Sequence, residues 1–332
     1  MITLLLLSGL AVLILGGELL VRGSSRLARR LGTSHLVIGL TVVAFGTSAP
    51  ELAVSTVATL RGAPAIALGN VVGSNIVNIL LILGFSAVLA PLAVSHRLVR
   101  IEVPLVIVIS GLVFLLALDS VLGRLEGLLL LAGLILYLVV FIRLALAGRT
   151  SRAGSAESAE PFIDPASRSP VPSPGSGSSP LLLHLALIAA GLILLIIGSR
   201  WLVLGAVELA ALVGISSLVV GLTVVAVGTS LPELATSVIA VLRGEREIAV
   251  GNILGSNLFN LLAVLGCSAA LAPQGIPVPR PALTFDLPVM LIAAAVCLPV
   301  FITGRVVSRR EGLLFLAGYA AYLMGLFLGS TG

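Results

Sequence analysis

Two thirteen-residue segments lying 182 positions apart are almost the same. Gly39 to Glu51 reads GLTVVAFGTSAPE and Gly221 to Glu233 reads GLTVVAVGTSLPE, identical at 11 of 13 positions. A second pair follows at the same interval. Gly69 to Pro91 (GNVVGSNIVNILLILGFSAVLAP) and Gly251 to Pro273 (GNILGSNLFNLLAVLGCSAALAP) agree at 14 of 23. Each copy sets one acidic residue, Glu51 or Glu233, in an otherwise apolar stretch. A lone carboxylate in hydrocarbon is costly unless it faces a cavity or a partner. Its duplication points to a fold in which two related halves build one ion site.

The setting is a membrane. Of 332 residues, 58% are hydrophobic and 10% charged, and mean hydropathy is +1.23, a balance that no soluble domain of this size shows. Met1 to Leu15 lacks a basic leader and is followed by four arginines, so it reads as a retained first span rather than a signal peptide. A net charge of +5 would suit nucleic-acid binding. The arginines instead stand at the ends of apolar spans and aromatics are only 4%, which excludes that class. Cys267 and Cys297 both lie in apolar segments and read as small core residues.

A span needs about 20 apolar residues. Ten candidates satisfy this, at 2–21, 35–60, 64–90, 99–118, 124–146, 181–205, 215–242, 247–272, 283–303 and 310–329. The expected fold is all-α, ten transmembrane helices in two five-helix repeats, residues 1–147 and 181–332. Between them 148–180, rich in Ser, Pro and Gly, reads as a disordered linker. The homology extends beyond the two blocks: Glu102-x-Pro104 matches Asp286-x-Pro288, and Glu126-Gly127 with Tyr137 matches Glu311-Gly312 with Tyr322. An odd number of spans per repeat inverts the second half relative to the first. Of the 19 arginines, 15 fall in loops on one side and four (Arg61, Arg124, Arg200, Arg280) on the other. The positive-inside rule then makes the first side cytoplasmic, with the linker, and sets both termini outside an inner (plasma) membrane.

Glu51 has Thr47 and Ser48 on its own helical face, as Glu233 has Thr229 and Ser230. Hydroxyl and carboxylate oxygens together suit a hard cation such as Na⁺ or Ca²⁺. Pro50 and Pro232 break their helices, softened by Gly46 and Gly228, and should free backbone carbonyls near Ala44 and Ala226. The second block offers Ser74 with Asn78 and Ser256 with Asn260, each spaced i, i+4. Asn75 and Asn257 suit interhelical hydrogen bonding as well as ligation. Gly69, Gly73, Gly251 and Gly255 would permit close helix approach.

The elements G-T-S-x-P-E at 46–51 and 228–233, and G-N-x-x-G-S-N-x-x-N at 69–78 and 251–260, resemble the α-repeats of the Ca²⁺/cation antiporter superfamily, the sodium/calcium exchangers, over the whole chain. The resemblance implies that spans 2, 3, 7 and 8 converge at the bilayer midplane. Glu51 and Glu233 would then be central ligands shared by Ca²⁺ and Na⁺. Thr47, Ser48, Thr229, Ser230, Ser74 and Ser256 would supply hydroxyls, Ala44 and Ala226 carbonyls, and Asn78 and Asn260 would close the site. Spans 1 and 6 would slide against the core. One position departs: many exchangers carry an Asp where this chain has Asn78 or Asn260, so these four residues give a charge of −2 rather than −3.

The expectation is a monomeric antiporter exchanging Ca²⁺ for Na⁺ by alternating access in the lipid bilayer, with no cofactor. H⁺- or K⁺-coupled exchange is the alternative, and a cation channel a further one. An enzyme is not expected, because Gly-Thr-Ser-x-Pro is no nucleophile elbow and no His stands by to activate Ser. Glu18 should pair with Arg22, with Arg200 as another possible partner across the repeats. Glu102, Asp286, Glu126 and Glu311 should serve helix starts.

Overall fold

The structure, a computed structural model, describes residues 2–154, 180–212 and 226–330. Its helices are α1 (Ile2–Leu31), α2 (His35–Leu60), α3 (Ala65–Leu89), α4 (Leu98–Leu116), α5 (Arg124–Gly154) and α6 (Leu181–Leu212). They continue as α7 (Ala226–Thr229, then Leu231–Leu242), α8 (Arg246–Leu271), α9 (Ala282–Ile302) and α10 (Arg309–Ser330). Among the described residues, nine helices are long and apolar enough to cross a membrane. The span expected at 215–242 corresponds to α7, and its first half lies outside the described residues. The fold is all-α. Helix α5 runs to Gly154, past the expected start of the linker, and 155–179 lies outside the described residues.

Two short antiparallel ribbons reveal the inversion. The loop between α3 and α4 (β1, Leu92–Ala93) pairs with the loop between α9 and α10 (β4, Val306–Val307). The loop between α4 and α5 (β2, Val121–Leu122) pairs with the loop between α8 and α9 (β3, Ile276–Pro277). Homologous loops, β1 and β3, therefore sit at opposite ends of the bundle. Helices α1 and α6, also homologous, run antiparallel. Gly9 meets the Gly198 carbonyl and Gly16 the Gly191 carbonyl, so closely that a Cβ on Gly16 would lie 2.7 Å from the Leu195 amide nitrogen.

Burial identifies the centre. The apolar window of α8 is 100% buried and that of α3 78%, against 17% for α5 and for α10. Helix α8 packs on α2 backbone to backbone: a Cβ on Gly255 would fall 2.6 Å from Ala44 Cβ. Gly251 likewise abuts Leu36 and Leu40, as the glycine pattern led one to expect. Gly69 and Gly73 have nothing within 4 Å, and the stretch equivalent to their partners, 218–226, falls largely outside the described residues.

Helix ends follow local chemistry. After α2 and α7 the chain turns at Gly62 (φ 80°) and Gly244 (φ 77°), left-handed positions that a β-carbon would strain. Ser308 and Glu311 form a capping box at α10: the Glu311 carboxylate accepts from the Ser308 amide at 2.7 Å, and the Ser308 hydroxyl accepts from the Glu311 amide at 3.3 Å. Glu102 accepts from Arg97 Nε at 3.2 Å and from the Tyr137 hydroxyl at 3.3 Å; its counterpart Asp286 accepts from the Tyr322 hydroxyl at 3.0 Å. These acids tie α4 to α5 and α9 to α10, a tighter role than helix starts alone. Glu18 does pair with Arg22, and its second partner is Arg243 rather than Arg200. Cys267 and Cys297 are both free thiols.

At the same end, Glu245 accepts from the Ser25 hydroxyl at 2.5 Å and lies 2.7 Å from His35 Nδ1. Burial pulls its pKa up, but the hydrogen bonds from His35 and Ser25 outweigh this and hold it below the usual carboxylate value.

Candidate cation site

Helix α2 breaks at Ser48 (φ −83°, ψ 2°) and α7 at Ser230 (φ −89°, ψ 7°). Pro50 and Pro232 occupy the first turn of each new segment, where a missing N–H leaves no gap in the ladder. Glu51 and Glu233 share that turn, so the helix N-terminus favours their negative charge. The Ala44 carbonyl, expected to be freed by the break, accepts from the Ser48 amide at 3.0 Å and faces the Thr47 hydroxyl at 3.4 Å. In the second repeat the Ser230 amide donates to Val227 instead, and Ala226 is the first described residue of α7.

The two glutamates are brought together. They are 0% and 1% exposed, and Ser48, three residues before Glu51, reaches the carboxylate of Glu233. The first repeat reaches the acid of the second. Ser48 donates to Glu233 Oε1 at 3.2 Å, joined by Ser256 at 3.5 Å. Ser230 lies beside Glu51 and donates to Ser74 at 3.1 Å. Asn78 Nδ2 crosses to Asn257 Oδ1 at 2.9 Å, whereas Asn75 turns back to the Val71 carbonyl at 2.7 Å. Asn75 therefore serves its own helix, and Asn257 bridges the repeats.

The decisive feature is what remains unpaired. Among the described residues, Glu51 Oε1 and Oε2, Glu233 Oε2, Asn78 Oδ1 and Asn260 Oδ1 are buried acceptors with no donor, as is Asn75 Oδ1 on α3. An unsatisfied buried polar atom costs about 1–3 kcal/mol, so the five on Glu51, Glu233, Asn78 and Asn260 suit something electron-poor. All five are hard oxygens, the donor set of Na⁺ and Ca²⁺. Two orphaned donors, Asn257 Nδ2 and Asn260 Nδ2, accompany them on α8. Among the described residues no three His, Cys, Asp or Glu side chains cluster, so the formal charge of the site comes from Glu51 and Glu233 alone.

The profile described as sodium/calcium exchanger protein matches residues 1–143 and 183–328. The chain belongs to the sodium/calcium exchanger family. Within it, CaxA of Alkalimonas amylolytica is 40% identical over 98% of each chain. The sodium/calcium exchanger MaX1 of Methanosarcina acetivorans is 33% identical, again over 98% of each. The inner membrane protein YrbG of Escherichia coli is 37% identical over 98% of this chain and 96% of its own. The structure of the sodium-calcium exchanger NCX_Mj soaked with Na⁺ and Ca²⁺ superposes with a TM-score of 0.79 at 30% identity, covering 97% of each chain. The family's multi-pass membrane fold is thus this chain's own.

Two residues of the site escaped the sequence reading. Asn70 donates to the Glu51 carbonyl at 3.3 Å and to Ser55 at 3.0 Å, while its Oδ1 accepts from Thr229 at 3.1 Å. Asn252 repeats the pattern, donating to the Glu233 carbonyl at 3.4 Å and Ser237 at 3.1 Å, and accepting from Thr47 at 3.0 Å. The signal was present in the second letter of each G-N-x-x-G-S-N element. Only the fold shows that it reaches the opposite repeat.

Proposed function

We propose that this protein is a secondary antiporter that exchanges Ca²⁺ for Na⁺ across the cytoplasmic membrane by alternating access. The observation that carries the reading is the set of five donor-less oxygens shared by Glu51, Glu233, Asn78 and Asn260. A site charge of −2 balances one Ca²⁺ or two Na⁺, so both ions load the same oxygens with similar net charge, the condition for exchange rather than co-transport. The hydroxyls of Thr47, Ser48, Ser74, Thr229, Ser230 and Ser256 complete the shell, with the carbonyls of Ala44 and Ala226. Family membership and the likeness to NCX_Mj support this reading.

Alternating access needs a moving element. The antiparallel pair α1–α6 packs through glycines along smooth backbone, and α6 also lies against both helix breaks, Leu192 over Gly46 and Val203 over Gly228. Sliding of this pair would open the site to one side at a time. The arginine asymmetry favours both termini outside.

Uptake of ⁴⁵Ca²⁺ into proteoliposomes tests the proposal. An outward Na⁺ gradient should drive accumulation, and Glu233→Gln should abolish it in folded protein. Accumulation driven by a pH or K⁺ gradient but not by Na⁺ would replace the coupling ion. Downhill flux with no counter-ion would instead indicate a channel.

A further inference from the structure

We propose that Asn70 and Asn252 are positioning residues that fix the hydroxyl protons of Thr229 and Thr47 and so turn those hydroxyl oxygens toward the cation. The inference rests on the antiport reading above, and deepens it.

A carbonyl oxygen can only accept. Asn252 faces the Glu233 carbonyl at 3.4 Å, and a carboxamide oxygen there would oppose it, so the amide must present Nδ2 to that carbonyl and to Ser237 Oγ at 3.1 Å. The other end of the amide, Oδ1, then faces the Thr47 hydroxyl at 3.0 Å and can only accept. Thr47 must spend its single proton on Asn252. Its alternative acceptors are farther away, the Ala44 carbonyl at 3.4 Å and Ser256 at 3.5 Å. With the proton held there, Thr47 Oγ1 keeps lone pairs for a cation held beside Glu233, one side of it lying 3.5 Å from Ser256 Oγ.

The other half pairs the same residue types. The Glu51 carbonyl at 3.3 Å and Ser55 at 3.0 Å orient the Asn70 amide, whose Oδ1 takes the Thr229 proton at 3.1 Å. Each amide therefore links three things: the carbonyl of its own repeat's glutamate, a serine one turn further along the same helix, and the threonine ligand of the opposite repeat. Both are structurally poised for this, Asn252 being fully buried. Aspartate would fail at either position, because it cannot donate to a carbonyl and would add a third charge. Removing the amide lets the threonine rotate and offer its proton to the carboxylates, where it competes with the cation.

The test is a double-mutant cycle on ⁴⁵Ca²⁺/Ca²⁺ self-exchange, which needs no coupling ion, with cation-induced thermal shifts in Na⁺, K⁺, Ca²⁺ and Sr²⁺ measured in parallel. Asn252→Ala should raise the apparent KM on the order of tenfold, the effect of one misdirected hydrogen bond. That rise should vanish in a Thr47→Ala background and persist in a Thr229→Ala background. Asn70→Ala should show the mirror pattern, vanishing with Thr229→Ala, and serves where Asn252→Ala does not fold. An unchanged KM, an effect equal in both threonine backgrounds, or failure of both variants to fold would overturn the inference. If the wild type does not exchange Ca²⁺, the proposed function falls. The cycle is then read in the thermal shift given by whichever cation stabilises the wild type, with the same outcomes deciding.

Discussion

Replacing Glu51 with Gln should make the cation-free protein more stable while destroying its response to Ca²⁺. Both carboxylate oxygens of Glu51 are buried without a donor among the described residues. Relieving one buried unsatisfied group is worth about 1–3 kcal/mol. At roughly 2 °C per kcal/mol for a chain of this size, the thermal midpoint in chelator should rise by several degrees. Glu233→Gln should gain less, because Glu233 Oε1 already accepts from Ser48 and Ser256 and a Gln oxygen can do the same. Saturating cation adds about 2.7 kcal/mol to the wild type at a hundredfold excess over its Kd. Neither variant should show that increment. The assay is thermal unfolding of detergent-solubilised protein in chelator and in Ca²⁺. A Glu51→Gln protein that is less stable in chelator than the wild type, or that keeps the full Ca²⁺ shift, would refute the idea that an unpaired carboxylate waits for a cation.

Two further outcomes follow from the packing and from the loop between α7 and α8. Gly16→Ala should cost about 1–3 kcal/mol by overpacking the α1–α6 contact, whereas Gly111→Ala, whose new carbon would meet only Leu291 at 3.9 Å, should be neutral or stabilising; thermal midpoints that shift alike would remove the special status of α1–α6. The depressed pKa of Glu245 means its contacts with His35 and Ser25 stabilise the fold above the ordinary value of 4.5, and that this contribution is lost as pH falls through the lower folded value. The midpoint difference between wild type and Glu245→Gln should therefore be steady near neutral pH and shrink below about pH 4.5, and a difference that grows on acidification would contradict it.

The repeat made the architecture legible. Two copies of one carboxylate, an odd number of spans per repeat, and arginines sorted to one side gave the inverted bundle, and β1–β4 and β2–β3 pair as that inversion requires. The helix breaks were legible because proline acts locally. What hydrogen bonds cross the repeats was not, since it depends on distance rather than on spacing. Asn70 and Asn252 carried no role in the G-N-x-x-G-S-N elements until the fold set each against a threonine from the other half. The π-helical turns at Val77–Leu83 and Asn260–Val264, which carry Asn78 and Asn260, also left no trace in the residue pattern. Arg22 was legible as the local partner of Glu18, but Arg243 was not: Arg200 is Glu18's repeat equivalent, and inversion sends equivalent positions to opposite ends of the bundle, leaving Arg243 nearby.

The central claim is that one cation is gripped by acids from both halves. Crystals soaked in Sr²⁺, whose anomalous scattering marks its position, test it most directly. The account predicts a single strong peak with oxygens of both Glu51 and Glu233 in its first coordination shell, at about the 2.3–2.6 Å typical of Ca²⁺–oxygen bonds or slightly longer. A peak bound to one glutamate only, or located elsewhere in the bundle, would contradict it.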